Sequence, residues 1–194
     1  NVEMGSKVQN IILGVLAVGL IGLTVAYALL TQQLKIESTA TVKAGTWDIH
    51  FENLSSSLTG KAALADTNKL AISSNSTTIS GSVGVLSVPG DSIVYTFDIV
   101  NKGNIPAILS AAPVISTPTC TSTDTVSATN ICANDLVYTL TYVDGSQINN
   151  GDTLAAGETK KAKLTLSLKN EMTYVPSADV AISNIAATLN YSQN

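Results

Sequence analysis

The chain has 194 residues and a mass of 20.0 kDa, enough for one ordinary domain with a short appendage but too little for two well-packed domains. Its 10 lysines, with no arginine, and its 14 acidic residues give a formal net charge of -4, so the basic surface typical of nucleic-acid binding is missing. One histidine and two cysteines leave few side chains for a zinc cluster or a Cys–His catalytic pair. We therefore expect no enzyme, no cofactor and no nucleic-acid partner.

The apolar residues are concentrated near the N-terminus. Residues 11–30 carry no charged side chain, and twenty helical residues span about 30 Å, the thickness of the hydrocarbon core of a bilayer. The sequence predicts one long hydrophobic α-helix within residues 1–30, acting as a filament core or a membrane span. Lys7 precedes the apolar run, and this weak positive bias favours a cytoplasmic N-terminal end with the rest of the chain outside.

Three fates of this helix are consistent with the sequence. It could be a secretory signal, since Ala26-Tyr27-Ala28 suits a signal peptidase, although signal cores usually have about 7–15 apolar residues. It could be a permanent anchor for a monomeric surface protein. It could also leave the lipid and pack against copies of itself. Gly14, Gly22 and Ala26 form a stripe of small residues that allows close helix packing, which favours a retained and packed helix.

After Leu30 the pattern changes to an alternation of apolar and polar residues, which is typical of half-buried strands. In the first such stretch Leu34, Ile36, Ala40 and Val42 are the apolar members. The alternation returns at residues 47–52, 77–86, 92–100, 136–143, 161–168 and 180–191. No long amphipathic helix intervenes, so residues 31–194 are predicted to form an all-β domain, a jelly-roll-like or immunoglobulin-like antiparallel β-sandwich.

The segments between the strands are predicted from their turn-forming residues. Residues 101–104 and 144–146 read as hairpin turns, because Asn, Asp and Gly tolerate positive φ. Gly90 and Gly157 each stand in a turn that enters a strand. Segments 53–68 and 116–134 are rich in Ser, Thr, Asn and Ala, and we expect them to be surface loops.

The two cysteines, Cys120 and Cys132, lie in the second of these loops. An even number of cysteines beside an export segment favours a disulfide, which would stabilise the domain by about 3 kcal/mol in the chain-entropy model. Two free buried thiols are the alternative. The disulfide would place the domain outside the cytoplasm.

Asp48, His50 and Glu52 occupy alternate positions of a predicted strand and therefore share one face. Asp, His and Glu are possible metal ligands. Alternation on a half-buried strand also produces a solvated polar face, and no second group of imidazoles or thiolates supplements the three. The solvated face is the better interpretation, and we expect no metal.

The junction between the apolar segment and the first strands resembles the TasA/camelysin family of Gram-positive surface and biofilm-matrix proteins. The similarity rests on the run ATVKAGTWDI at residues 40–49, on Pro89-Gly90-Asp91-Ser92, and on the pattern of Phe97, Asn101 and Gly103. The resemblance implies a jelly-roll-like sandwich that joins fibres by donating an N-terminal strand, here residues 34–42. A retained helix is instead similar to type IV pilins and archaeal flagellins, whose hydrophobic helices bundle in a filament core.

Together these patterns predict a structural subunit of an extracellular, cell-surface filament. Its partners would be copies of itself, and it would be inserted in the membrane before assembly. Two alternatives stay open. One is a TasA-like biofilm-matrix fibre built by strand donation after the signal is cleaved, and the other is a membrane-anchored monomeric binding module.

Overall fold

A computed structural model describes Gly5, residues 7–16 and residues 37–194 of the chain. The chain divides into two compact units, Asn1–Lys43 and Ala44–Asn194. The boundary predicted between residues 30 and 31 lies outside the described residues.

In the first unit, residues 7–16 are helical. The apolar side chains of this stretch are exposed within the chain, from 53% for Val8 to 68% for Val15. No helix among the described residues has the length and hydropathy needed to span a bilayer. The structure does not show the long helix predicted within residues 1–30, because residues 17–30 lie outside the described part.

The second unit is built on four long strands. These are β1 (Ile49–Thr59), β6 (Ser92–Asn101), β10 (Leu136–Tyr142) and β12 (Thr159–Leu168). They form one antiparallel sheet in the order β1-β6-β12-β10. With 40% strand and 13% helix, the chain has the all-β character that the alternation predicted.

A narrower sheet has the order β11-β7-β15, with β7 at Ala107–Leu109, β11 at Thr153–Leu154 and β15 at Tyr191–Gln193. Two further pairs continue the pairing of β7 with β15. They are β8 (Val114–Ile115) with β14 (Ala187–Thr188) and β9 (Thr119–Thr121) with β13 (Ala181–Ser183). Segments 107–121 and 181–193 therefore run side by side as an interrupted ribbon.

The remaining elements are short. Two small hairpin-like pairs consist of β2 (Ala63–Leu64) with β5 (Gly84–Val85), and β3 (Ala71–Ile72) with β4 (Ile79–Ser80). An α-helix, Thr125–Asn130, continues into a π-helical turn, Ile131–Asp135, just before β10. The Asp124 side chain caps this helix by accepting a hydrogen bond from the Val126 N–H at 3.0 Å.

The two sheets share a hydrophobic core. The four-stranded sheet contributes Phe97, Ile99, Leu140 and Ala162 to it, and the narrower sheet contributes Ala107, Leu109 and Leu154. Phe51 of β1 meets Phe97 edge to face, with ring centroids 5.3 Å apart and planes at 87°. The alternate residues of each long strand thus bury one face of the four-stranded sheet, as the period-2 pattern requires.

The strand β1 corrects one prediction. Residues 53–59, expected to begin a loop, continue the strand after a β-bulge between Glu52 and Ser55. Asn53 and Leu54 stand opposite Phe97 alone, and Asn53 adopts a φ of 55°. The bulge reverses the alternation, so Leu54 packs on the core and Ser55 pairs with Thr96. The sequence pattern does not predict residues 53–59 as a strand, because the bulge interrupts the alternation of apolar and polar residues.

The other predicted strands divide into two groups. Those at 92–100, 136–143 and 161–168 are present as β6, β10 and β12. Those at 77–86 and 180–191 are each broken into short pieces. Gly81 and Asn184 lie between the pieces and have positive φ. Gly84, where β5 begins, also has positive φ, and a Cβ on it would lie 2.3 Å from the Ala63 carbonyl oxygen. The predicted loop 116–134 contains β9 and the helix.

Three turns share one arrangement, in which the third residue is a glycine with positive φ and the fourth is acidic. The N–H of the fourth residue donates to the carbonyl of the first, and the acidic side chain accepts from the N–H of the first. The turns are residues 88–91, 149–152 and 155–158, with Gly90 (φ 84°), Gly151 (φ 91°) and Gly157 (φ 77°). The first and third lead into β6 and β12, as predicted for Gly90 and Gly157.

Candidate functional site

The candidate site is the place where the chain enters the second unit. Residues 44–48 lie along the loop of residues 101–104, and we call this contact the junction clamp. The Thr46 N–H donates to the Asn104 side-chain oxygen at 2.7 Å, and the Asn104 N–H donates to the Thr46 carbonyl at 3.1 Å. The Asn104 side-chain amide reaches the Ala44 carbonyl at 3.0 Å, and the Lys102 N–H reaches the Asp48 carbonyl at 2.9 Å.

Two residues of the loop make this close approach possible. A Cβ on Gly103 would stand 2.2 Å from the Thr46 carbonyl oxygen, so only glycine lets the two backbones meet. Asn101 is fully buried, and its amide donates to the carbonyls of Ile105 and Leu154 at 2.9 and 3.1 Å. The predicted hairpin at residues 101–104 is therefore a connection between two sheets, because β6 and β7 do not pair with each other.

Asp48, His50 and Glu52 share one face of β1 and the residues before it, as predicted. His50 Nδ1 lies 2.7 Å from Asp48 Oδ1, and His50 Nε2 lies 2.7 Å from Glu52 Oε1. The carboxylates bind the two opposite nitrogens of one ring, so they do not converge on one point. Among the described residues no group of three His, Cys, Asp or Glu side chains has a geometry that could hold a metal ion.

The contacts among Asp48, His50 and Glu52 favour charged side chains. The Glu52 hydrogen bond and then the Asp48 hydrogen bond raise the pKa of His50 above its ordinary value, against the effect of burial. The His50 bond also lowers the pKa of Glu52. Lys102 Nζ stands 3.7 Å from Glu52 Oε1 and adds a second positive charge to that side. An imidazolium held between two carboxylates is the form that these contacts favour.

The candidate donor strand lies just ahead of the clamp. Leu34 and Ile36 fall outside the described residues, whereas Ala40 and Val42 are exposed, Val42 to 93%. Residues 37–48 form no strand within their own chain, so the half-buried strand expected there is absent from the described part of residues 34–42, whereas donation of this segment to a neighbouring subunit stays a prediction. Alternation alone does not make a strand, because a strand needs a partner to satisfy its backbone, and no described strand pairs with this segment.

A small cleft of about 190 Å³ opens beside β1. Its lining includes Trp47 just before β1, Ile49 and Phe51 of β1, Leu189 between β14 and β15, and Tyr191 of β15. Trp47 is 46% exposed there. In the described part of the chain, β15 pairs only with β7, and β1 is the edge of its sheet. The cleft thus lies between two edge strands, above partly buried residues that pack on the core.

The predicted helix-packing residues are described only in part. Gly14 lies in the helical stretch, and a Cβ placed on it would meet nothing within 4 Å. Gly22 and Ala26 lie outside the described residues. Within the described chain, therefore, space remains open at Gly14.

The structure joins Cys120 and Cys132 in a disulfide, with their Cα atoms 5.9 Å apart. The bond ties β9 to the π-helical turn before β10. The sequence prediction of this pair is confirmed.

Sequence reasoning missed Asn104 and the clamp. Asn101 and Gly103 belong to one family-like pattern, and Thr46 and Asp48 belong to another, but nothing in either pattern indicates that the two segments meet. A signal was present in the small residues of the first segment and in the Asn and Gly residues of the second, which suit close backbone contact. The partnership itself is a tertiary contact.

Comparisons with protein-family models, with curated proteins and with solved structures gave no match for this chain. The function is therefore inferred from the chain's own chemistry.

Proposed function

We propose that the chain is a structural subunit of an extracellular filament, in which apolar helices from neighbouring subunits pack together and the β units lie outside. The observation that carries the proposal is the helical stretch 7–16, whose apolar side chains are exposed within the chain. Val8, Ile11, Ile12, Leu13, Val15 and Leu16 are each between 53% and 68% exposed within the chain. Because exposed apolar surface costs about 25 cal/mol per Å², such a helix is driven to bury itself in lipid or against other copies.

The composition of the segment favours burial against copies after a membrane stage. The uncharged run to residue 30 suits a bilayer before assembly. Gly14 leaves open space on the helix surface, which a neighbouring helix can enter. In this proposal the N-terminal segment persists as one helix through residue 30.

The second unit fits the exposed part of such a filament. Its two sheets share one core, which supports a β-sandwich of the jelly-roll or immunoglobulin-like kind. The disulfide suits an oxidising, extracytoplasmic location. The described residues contain no candidate metal cluster, and Asp48, His50 and Glu52 bind each other. A scaffold role accounts for these features better than catalysis.

The test is Gly14→Leu in the full chain. The leucine side chain meets no atom of its own chain, so we expect the β unit to fold normally, whereas a neighbouring helix would be held away. Electron microscopy of material sheared from the cell surface should show filaments for the unaltered chain and for the control Val15→Leu, and none for Gly14→Leu. Normal filament yield from Gly14→Leu would contradict helix packing at this face. Absence of filaments from the unaltered chain would instead indicate an anchored monomer.

A second candidate is a matrix fibre held by strands donated between subunits, after removal of the helix. Two observations favour it: residues 37–43 are exposed and form no strand, and segment 181–193 has an edge without a partner among the described strands. Neither segment 107–121 nor segment 181–193 contains a charged residue to oppose strand addition. N-terminal sequencing of purified fibres separates the candidates, since a start near Leu29 supports strand donation and a start ahead of the apolar run of residues 11–30 supports the helical core.

A further inference from the structure

The His50 cluster lies next to the junction clamp and shares a residue with it. Asp48 accepts the Lys102 N–H through its backbone carbonyl at 2.9 Å and binds His50 through its side chain at 2.7 Å. The state of the imidazole therefore acts on a residue that also holds the chain against the loop of residues 101–104.

Both ring nitrogens of His50 face a carboxylate oxygen at 2.7 Å. A protonated imidazole has two N–H donors and satisfies both carboxylates. A neutral imidazole has one donor, so one carboxylate must face a bare nitrogen lone pair at a distance suited only to a hydrogen bond. The observed geometry therefore suits a protonated imidazole. With a neutral imidazole, one carboxylate would be repelled by the nitrogen lone pair that it faces.

The surrounding charges decide whether the His50–Asp48 or the His50–Glu52 contact weakens when the imidazole loses its proton. Glu52 retains Lys102 at 3.7 Å when the imidazole loses its charge. The Asp48 side chain has no other hydrogen bond or ion pair within the described residues. On the neighbouring strand β6, Asp98 stands opposite Glu52. Its carboxylate already accepts hydrogen bonds from the Asn53 side-chain amide and from Lys161 Nζ. Tyr191, in the lining of the same cleft as His50, has a pKa raised to about 12 by burial, so it stays neutral in the relevant range.

We propose that Asp48, His50 and Glu52 form a pH-sensitive latch, which fastens the junction clamp when the imidazole is protonated and loosens it when the imidazole is neutral. The latch acts within the β unit, so it regulates how firmly residues 44–48 are held against the loop of residues 101–104. It does not rest on the proposed filament, because its contacts lie within one chain.

The direction of the pH effect follows from the chemistry. Hydrogen bonds from Glu52 and Asp48 raise the pKa of folded His50 above the ordinary value of 6.5. The stability that the latch contributes is then fully present below pH 6.5 and is lost as the pH rises through the folded pKa. The clamp is tight in mild acid and loose in mild alkali.

The experiment uses the full chain in detergent micelles. Since His50 is the single histidine, its ring protons in a proton NMR titration report on the latch alone. We expect a midpoint above 6.5, falling toward that value in Asp48→Asn and in Glu52→Gln. Hydrogen exchange of the Thr46 and Asn104 amides, corrected for the intrinsic pH dependence, should lose protection across the same midpoint, by roughly tenfold for each pKa unit of the shift.

The controls separate the latch from general unfolding. The Ala162 amide in β12 should keep its protection over the whole range, because it belongs to the core. In His50→Gln, protection of Thr46 should be low and independent of pH, whereas His50→Lys, which keeps a positive charge, should retain it. If His50→Gln does not fold, Asp48→Asn tests the same link, because it removes the carboxylate that connects His50 to the clamp, and its Thr46 protection should respond less to the His50 titration. A midpoint at or below 6.5, or Thr46 protection that does not change through the midpoint in the unaltered chain, overturns the proposal.

Discussion

At the scale of the residue, buried acidic side chains hold the loops of the β unit in place. Asp91 is fully buried, and its carboxylate accepts backbone N–H groups of Lys61, Ser87 and Val88 at 2.8, 2.7 and 2.9 Å. Burial alone would raise the pKa of Asp91, but these donors lower it on balance. Asp91 thus joins the turn before β6 to the loop after β1.

We expect Asp91→Asn to lower the free energy of unfolding by about 2 kcal/mol, because the amide nitrogen must face a backbone N–H and leave it unsatisfied. Asp144→Asn is the matched control, since Asp144 is exposed and one oxygen receives both of its bonds from Ser146. Urea unfolding at neutral pH checks both variants. Equal losses for the two would contradict the role of Asp91.

The same substitution has a pH signature. The pKa of folded Asp91 lies below its ordinary value of 3.8, so its contribution is present above pH 3.8 and is lost as the pH falls through the folded pKa. The unaltered chain should therefore lose stability in acid more steeply than Asp91→Asn. Urea midpoints measured from neutral pH into acid test the difference in slope.

At the scale of the element, the bulge in β1 decides which side chains reach the core. Asn53 supplies a positive φ of 55°, which asparagine tolerates better than most residues, and its amide donates to Asp98 at 2.8 Å. Without the bulge, Ser55 rather than Leu54 would face the core. One residue in an unusual conformation thus sets the register of the whole second half of the strand.

We expect Asn53→Val to destabilise the chain by about 2 kcal/mol, because a β-branched residue at positive φ is sterically strained. Ser57→Val places the same side chain on the exposed part of the same strand, and we expect it to change stability by less than about 0.5 kcal/mol. Thermal and urea unfolding of the two variants provide the comparison. A neutral Asn53→Val would mean that the bulge can relocate without cost.

At the scale of the whole molecule, the two units have different sources of cohesion. The core residues of the β unit all lie within Ala44–Asn194, and residues 37–43 are exposed. The helical stretch 7–16 has its apolar side chains exposed within the chain. The β unit contains its own core, whereas the helix needs an external one.

Chains of residues 37–194 and 44–194 should therefore both fold in water. Their free energies of unfolding, measured with urea, should agree to within about 0.5 kcal/mol, since exposed residues contribute little. Both should be monomeric by size-exclusion chromatography if the helix drives assembly. Unfolding of the shorter chain would show that residues 37–43 support the fold. Association of the longer chain alone would favour strand exchange through residues 37–43.

The predictability of the β unit follows from how local each signal is. Strands β6, β10 and β12 were predictable because their period-2 alternation is uninterrupted and one face packs on the hydrophobic core clusters. The Cys120–Cys132 pair was predictable because the chain offers no other partner. The second half of β1 was not, because the bulge at Asn53 reverses the pattern. Residues 37–42 form no strand within their own chain because alternation gives no information about a partner, and their donation to a neighbouring subunit stays a prediction.

By itself, the sequence determines the properties that depend on neighbours along the chain: the uncharged apolar run of residues 11–30, the all-β character of the rest, and the glycine turns that enter the long strands. Only the tertiary structure decided that Thr46 meets Asn104, which brings the local cluster of Asp48, His50 and Glu52 beside the loop of residues 101–104. Contacts between residues more than fifty positions apart depend on sheet order and register, which are set when the whole core packs and which no local pattern encodes.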